Sequence, residues 1–240
     1  MRFFRQLHPI KAMTFDLDDT LYDNRPIIRQ VEQQMVQWLH HTHPISATQS
    51  LSWWRDLKRQ LAQQDTWLVN DVTLWRFKQI EQGLTQLGYS AAQAQQAAQE
   101  AIDKVLSLRS DFTVPQETHT IMSELAQRLP LVAITNGNVD VEKIGLADYF
   151  SVVLKAGPDG YAKPHRQLFD KAQQHLAVAA DNILHVGDHL ISDVLGAKQS
   201  GLQACWFNDQ QVDIYRVPKA RILPDVEVNQ LHQLLQLSAK

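Results

Sequence analysis

Residues 13–24 read MTFDLDDTLYDN, with Asp16, Asp18 and Asp19 filling three of four positions directly after an apolar run and Asp23 close behind. Clustered carboxylates are costly. Two of them held about 4 Å apart repel by about 4 kcal/mol at an effective dielectric of about 20. A bound cation, a lysine or full exposure to water has to offset that repulsion. Asp16 and Asp18 stand two apart, and at a strand end such side chains point to one side, so both can reach a single substrate. Taken singly, each aspartate reads more simply as a solvated turn residue or a helix cap.

Further polar residues follow other apolar runs. Thr135, Asn136 and Gly137 come after PLVAI, Gly187 and Asp188 close NILHV, Asp193 lies five positions on, and Lys163 precedes a helix-like stretch. In an open parallel sheet, ligands bind at the carboxyl ends of the strands. If these runs are neighbouring strands, one rim gathers acids, hydroxyl and amide groups and a lysine, and the bland reading weakens for the set.

Other acidic or nucleotide motifs fail. A calcium loop opening at Asp16 needs glycine sixth and glutamate twelfth, where Leu21 and Ile27 stand. No P-loop pattern is present. His40, His41 and His43 lack a cysteine partner for zinc and read as solvated residues at a helix end. Cys205, between Ala204 and Trp206, reads as core. Trp53, Trp54, Trp67 and Trp75 read as packing residues.

The elements that must position the rim split into two patterns. Short strands are expected at 10–15, 130–136, 151–156, 182–188 and 203–207, with helices at about 116–128, after Lys163-Pro164, and at about 190–200. Alternation of this kind means right-handed βαβ units in an α/β, Rossmann-like parallel sheet. Between the first strand and the rest, four stretches carry apolar residues at helical spacing. They run from about Pro26 to His41, from N-caps at Ser46 or Thr48, from Asn70 or Asp71 to Gly88, and from Ser90. The expected domains are a core of 1–23 and 111–240 and an inserted four-helix bundle of 24–110.

Composition bounds the function. A 44% hydrophobic, 20% charged chain of 240 residues is ordinary for a folded soluble protein, and a net charge of −3 without a basic block argues against nucleic-acid partners. The single cysteine, Cys205, excludes an internal disulfide and fits a reducing compartment. The opening MRFFRQLHPIKAMTF shows neither a signal peptide nor a membrane span, so a cytoplasmic protein without membrane association is expected. Protein partners are not indicated.

DLDDT from Asp16, the Thr135-Asn136-Gly137 turn, Lys163-Pro164 and GDHLISD from Gly187 to Asp193 resemble, in order, the four motifs of the haloacid dehalogenase superfamily. The helical insertion resembles that family's C1 cap. The resemblance implies a Mg²⁺-dependent phosphatase acting on a small-molecule phosphate ester. Asp16 would attack phosphorus and form an aspartyl-phosphate, and Asp18 would act as acid and then base. Asp16, Asp188 and the Asp18 main-chain carbonyl would ligate the metal. Thr135, the Asn136–Gly137 turn and Lys163 would bind the phosphoryl group, and Asp193 would orient Lys163 or a metal-bound water. A dehalogenase of this family characteristically lacks the second aspartate, and a phosphonatase would need a cap lysine; Lys58 sits with Arg55 and Arg59 and reads as solvated. His189 departs from the small polar residue usual after Asp188 and leaves the metal's outer surroundings open. Alternatives are a sugar-phosphate or nucleotide phosphatase, a phosphosugar mutase, or a catalytically silent binding protein. MTFDLDDTLYDNRP, NDVTLWRFKQIEQ and LHVGDHLISDVLGAKQSGLQACW are similar to a bacterial subgroup acting on flavin mononucleotide and 5-amino-6-(5-phospho-D-ribitylamino)uracil, with Thr73 and Arg76 as candidates to face the leaving group.

Overall fold

The computed structural model describes residues 1–218 and 220–238. Two compact units emerge. One comprises Met1–Asn24, Thr113–Gly137 and the chain from Val141 onward; the other comprises Arg25–Phe112 with Asn138–Asp140.

The first unit is built on a seven-stranded sheet. Its strands are β1 (Arg2–Phe3), β2 (Ala12–Phe15), β3 (Leu131–Thr135), β4 (Val152–Lys155), β5 (Ile183–Gly187), β6 (Gln203–Phe207) and β7 (Val226–Val228), in the order β1-β7-β6-β5-β2-β3-β4. All pairings are parallel except β1 with β7. Every residue of β2, β3 and β5 is buried, as a parallel sheet covered on both faces requires. The order reverses at β2, which has β3 on one side and β5 on the other, so a crevice opens at its carboxyl end. Two short strands at one side of the sheet, the edge strand β1 and its neighbour β7, extend the five expected from sequence. They are two and three residues long, too short to show a pattern of alternation.

The connecting helices are α5 (Gln116–Arg128), α6 (Gln167–Leu176) and α7 (Gly196–Gln199). The helix expected at 190–200 begins instead as a π-helical turn, Leu190–Leu195, a form frequent at functional sites. Leu168, Phe169 and Ala172 of α6 and Val194 of the π turn pack with Val132, Ile134, Ile183 and Ala204 of the sheet in one apolar cluster.

The helical unit holds α1 (Asn24–Thr42, its first residue assigned to the other unit), α2 (Leu51–Gln64), α3 (Val72–Gln86) and α4 (Ala91–Arg109). Asp71 caps α3, and Ser90 with Gln93 forms a capping box on α4. The start of α2 differs from expectation: Ser50 is its N-cap, while Ser46 and Thr48 lie in a 3₁₀ turn at Pro44–Thr48. Pro44 opens that turn and so displaces the helix start. His43 also differs. It is buried, its Nδ1 lies 3.2 Å from the Tyr89 hydroxyl, and its ring packs edge-on to Trp38 and Tyr89. Lys58 is half-buried over the Trp75 ring at 4.6 Å, so its aliphatic stem does not lie on a fully solvated face.

Small residues set the packing of this unit. Ala94, Ala97, Ala98 and Ala101 form the buried face of α4. On α3, Gly83 lies beneath the Trp54 ring, where an added Cβ would overlap the indole carbons. Trp54 cannot easily retreat, because it is buried and its indole N–H donates to the Ser46 carbonyl at 3.2 Å. Gly83→Ala gains about 1 kcal/mol of helix propensity, but overpacking typically costs about 1–3 kcal/mol. With contacts as short as these the clash wins: a net loss of up to about 2 kcal/mol is expected, read as a lower urea midpoint for the helical unit.

Candidate active site

The crevice at the end of β2 holds a cavity of about 210 Å³, lined by Asp16, Asp18, Asp19, Thr135, Asn136, Gly137, Lys163, Asp188, His189, Ser192 and Asp193. All the residues singled out from the motifs converge here. The residues after β2, β3 and β5 arrive from a strand end or the turn after it, while Lys163 comes from the loop before α6 and Asp193 from the π turn. The Asp16 main-chain N–H continues the ladder by donating to the Val186 carbonyl at 2.9 Å. Leu17 is fully buried, so its neighbours Asp16 and Asp18 turn toward the cavity. Asp19 takes φ +58, a left-handed conformation that aspartate tolerates, and its Oδ1 accepts from the Asn24 main-chain N–H at 2.7 Å.

Lys163 lies at the centre. Its ammonium donates to Asp16 Oδ1 at 2.6 Å, to Asp193 Oδ1 at 2.7 Å and to the Ile134 carbonyl at 2.7 Å, which uses all three of its hydrogens. The segment is clamped by Asn136, whose side-chain Nδ2 donates to the Lys163 carbonyl at 2.9 Å while its Oδ1 accepts from the Lys163 main-chain N–H at 2.8 Å. This reciprocal pair was not foreseen from sequence, where only the Asn136 main chain was considered.

Asp193 is the most heavily coordinated acid. Its Oδ1 also faces His185 Nε2 at 3.2 Å, and its Oδ2 accepts from the His189 main-chain N–H at 2.9 Å. Gly187 makes room for it: an added Cβ there would overlap the Asp193 carboxyl. His185 Nδ1 lies 2.8 Å from the Thr14 hydroxyl, and the edge-on Phe169 ring stands 4.9 Å away. Thr14, His185, Thr20 and Tyr22 were missed from sequence. Thr20 donates to Asp16 Oδ2 at 3.3 Å and Tyr22 to Asp18 Oδ1 at 2.6 Å. The available signal was a histidine and a threonine inside otherwise apolar strands. His189 caps the π turn, its Nδ1 accepting from the Ile191 and Ser192 N–H groups at 3.3 and 3.0 Å.

Electrostatics divide the acids. Lys163 has one positive charge for several carboxylates. Burial would lower its pKa, but Asp16 and Asp193 outweigh that and raise it. Burial would raise Asp193, but Lys163 and His185 outweigh it and hold the carboxyl well below its usual range. The uncompensated charge therefore falls on the other two acids. Asp16 is pushed up to about 7, chiefly by burial against the opposing pull of Lys163, with the Asp193 and Asp18 charges adding. Asp188 is pushed up to about 8 by burial and by Asp193, Asp16 and Asp19.

Oxygens of Asp16, Asp188 and Asp193 lie within 4.8 Å of one another. Hard carboxylate donors carrying more negative charge than Lys163 balances fit a divalent cation of the Mg²⁺ type. Asp193 spends its charge on Lys163 and His185, whereas Asp16 and Asp188 carry the uncompensated charge, which makes these two the better placed donors.

Thr73 and Arg76 lie in the helical unit. Thr73 Oγ1 accepts from Asn138 Nδ2 at 3.1 Å. Arg76 pairs with Glu32 and lines a separate cavity of about 310 Å³ among α1, α2 and α3. No helix among the described residues is long and apolar enough to cross a membrane.

The sequence model of the haloacid dehalogenase-like hydrolases matches residues 10–201. The chain is 42% identical over 237 residues, 99% of its length and all of the relative's, to the 5-amino-6-(5-phospho-D-ribitylamino)uracil phosphatase YigB of Escherichia coli K12. It is 25% identical over 252 residues, 96% of its length and all of the relative's, to a phosphoserine phosphatase of Thermus thermophilus. Among solved structures, a protein described as a 2-haloacid dehalogenase from Pseudomonas syringae pv. Tomato superposes with a TM-score of 0.88 at 34% identity, over 95% of this chain and 97% of that one.

The raised carboxyls set a pH dependence. A carboxyl with a folded pKa above its unfolded value binds more protons when folded, so its contribution to stability is present at low pH and lost as pH rises toward the folded value. For Asp188 that window runs from the ordinary carboxylate range up to about 8. A divalent cation competes with those protons. The rise in melting temperature on adding Mg²⁺ is expected to be larger at about pH 8.5 than at about pH 6; scanning fluorimetry of chelator-treated protein at the two pH values checks it.

Proposed function

The chain belongs to the haloacid dehalogenase-like hydrolases, and on that premise we propose that it is a Mg²⁺-dependent phosphomonoester hydrolase working through an aspartyl-phosphate on Asp16. The observation that carries this reading is Asp18. A second carboxyl set against the Gly137 turn has a task in cleaving a phosphate ester, where an alcohol must be protonated as it leaves.

In this reading Asp16 is the nucleophile. Lys163 and Thr20 aim its carboxylate from either oxygen. The alcohol takes its proton from Asp18, which then removes a proton from the water that cleaves the aspartyl-phosphate. Thr135 Oγ1 already accepts from the Gly137 N–H at 2.9 Å, which leaves its own proton to donate to a phosphoryl oxygen. The Lys163 ammonium stabilises the negative charge that builds on the phosphoryl group. Asp16, Asp188 and the Asp18 carbonyl would hold the metal, which neutralises charge on the attacking carboxylate and the phosphoryl oxygens when bound.

For substrate, we propose 5-amino-6-(5-phospho-D-ribitylamino)uracil, with flavin mononucleotide as a second ester. Full-length identity to YigB supports the first. The second shares the same ribityl phosphate end, and a cavity of about 210 Å³ accepts that end while the heterocycle extends out of it.

The Pseudomonas structure raises a competing reading, a 2-haloacid dehalogenase. In that reaction the carboxylate attacks carbon, and a halide leaves without a proton. The first step would then have no work for Asp18, so we do not favour it.

Two measurements test the proposal. Asp16→Asn is expected to abolish phosphate release and phosphoenzyme formation with the melting temperature retained; appreciable turnover would overturn the nucleophile. On the wild-type protein, phosphate release from the two ribityl esters is compared with that from a sugar phosphate, and chloride release from 2-chloropropionate is measured alongside. The ribityl esters are expected to lead in kcat/KM by at least about tenfold, about 1.4 kcal/mol of transition-state preference, with no chloride released.

A further inference from the structure

We infer that Tyr22 is a positioning residue for Asp18, and that it determines which carboxyl oxygen exchanges the proton. This rests on the reading of Asp18 as general acid and base.

The two oxygens of Asp18 face different surroundings. Tyr22 is buried, and its hydroxyl donates to Asp18 Oδ1 at 2.6 Å, at the short end of the O–H···O range. The backbone brings them together: the chain reverses at Asp19, Leu21 is buried beneath the turn, and Asp18 and Tyr22 form an isolated β-bridge. Oδ2 points elsewhere. It lies so near Gly137 that an added Cβ would overlap it, and that same Cβ would sit 3.3 Å from Thr135 Oγ1. Oδ2 therefore borders the turn read above as the phosphoryl site, while Oδ1 is taken by a phenol.

The assignment follows from hydrogen-bond bookkeeping. Oδ1 accepts the Tyr22 proton, so a neutral Asp18 carries its own proton on Oδ2. As the Asp16–phosphorus bond forms and the phosphorus–alcohol bond breaks, the bonding pair goes to the alcohol oxygen, which takes the Oδ2 proton. In the second step a water oxygen bonds to phosphorus and the Asp16–phosphorus bond breaks. A water proton returns to Oδ2. Tyr22 keeps its proton throughout and touches no reacting atom. Its effect is orientational: the terminal torsion of an aspartate is broad, and the phenol narrows it.

Tyr22→Phe removes one oxygen and little else. The informative readout is the leaving group, because nitrophenolate departs without a proton and an alkoxide does not. The term kcat/KM reports the steps up to enzyme phosphorylation, so it isolates the acid role. For Tyr22→Phe, kcat/KM for flavin mononucleotide or glycerol 2-phosphate is expected to fall by about tenfold or more, part of the usual general-acid contribution. For p-nitrophenyl phosphate it should fall by less than about threefold. Asp18→Asn run in parallel should show the same selectivity, larger. If Asp18→Asn is selective and Tyr22→Phe slows both esters equally or neither, Tyr22 has only a structural part and the inference is overturned with Asp18 intact. If Asp18→Asn slows both esters equally, the acid assignment fails and takes the inference with it.

Discussion

One buried ammonium holds the site together. Lys163 sits among Asp16, Asp193 and the Ile134 carbonyl, with each N–H on a separate acceptor. Removing Lys163 would leave the buried Asp16 and Asp193 carboxylates without their counter-charge, and breaking a buried pair this way costs about 3–5 kcal/mol. Much of the surrounding architecture exists to make the arrangement possible. β2 and β3 deliver Asp16 and Ile134 side by side in register, Asn136 grips the Lys163 main chain, and Gly187 leaves the space into which Asp193 leans. The order of the sheet reverses at β2, so strands from both halves of the core end at the same cavity.

How much of this was legible depended on whether the signal was local. Asp16, Asp18, Thr135, Lys163, Asp188 and Asp193 could be read because each follows an apolar run or opens a helix, and strand ends in a parallel sheet share a rim. The capping residues Asp71 and Ser90 were legible for the same reason. Residues defined by distant contacts were not. Thr14 and His185 sit inside runs that read as apolar strands, and their partnership spans 171 residues of chain. His43 looked like one of three solvated histidines at a helix end, but Tyr89, 46 residues on, closes over it opposite Trp38 of α1. Strands β1 and β7 are too short to carry a period, and only their pairing with each other and with β6 defines them.

His185 shows why a polar strand residue can be worth its burial. Burial lowers its pKa, and the nearby Asp193 carboxylate only partly opposes this, so the ring is neutral. A neutral imidazole has one donor and one acceptor nitrogen. Asp193 can only accept, which assigns the proton to Nε2 and leaves Nδ1 to accept from the Thr14 hydroxyl. A chain of hydrogen bonds thus runs from Thr14 in β2 through His185 and Asp193 to Lys163 and back to Asp16, two residues after Thr14. Its ends are held by one strand, so the loop is closed and stiff. Each link also keeps Asp193 ionised, and an ionised Asp193 keeps Lys163 charged.

The two functional carboxyls need opposite surroundings. On the proposed mechanism Asp16 must present the same oxygen at each turnover, and a fixed lysine contact and a threonine hydroxyl suit that. Asp18 must lose a proton to the leaving alcohol and regain one from water in each cycle. The structure separates them accordingly. Asp16 is buried against Lys163, while Asp18, two residues on and half-buried, is met by the neutral phenol of Tyr22. A phenol keeps its proton across the physiological range, so it can orient a carboxyl without adding a positive charge beside it. The spacing of two that lets both side chains reach one substrate also gives each its own orienting partner, Lys163 for the first and Tyr22 for the second.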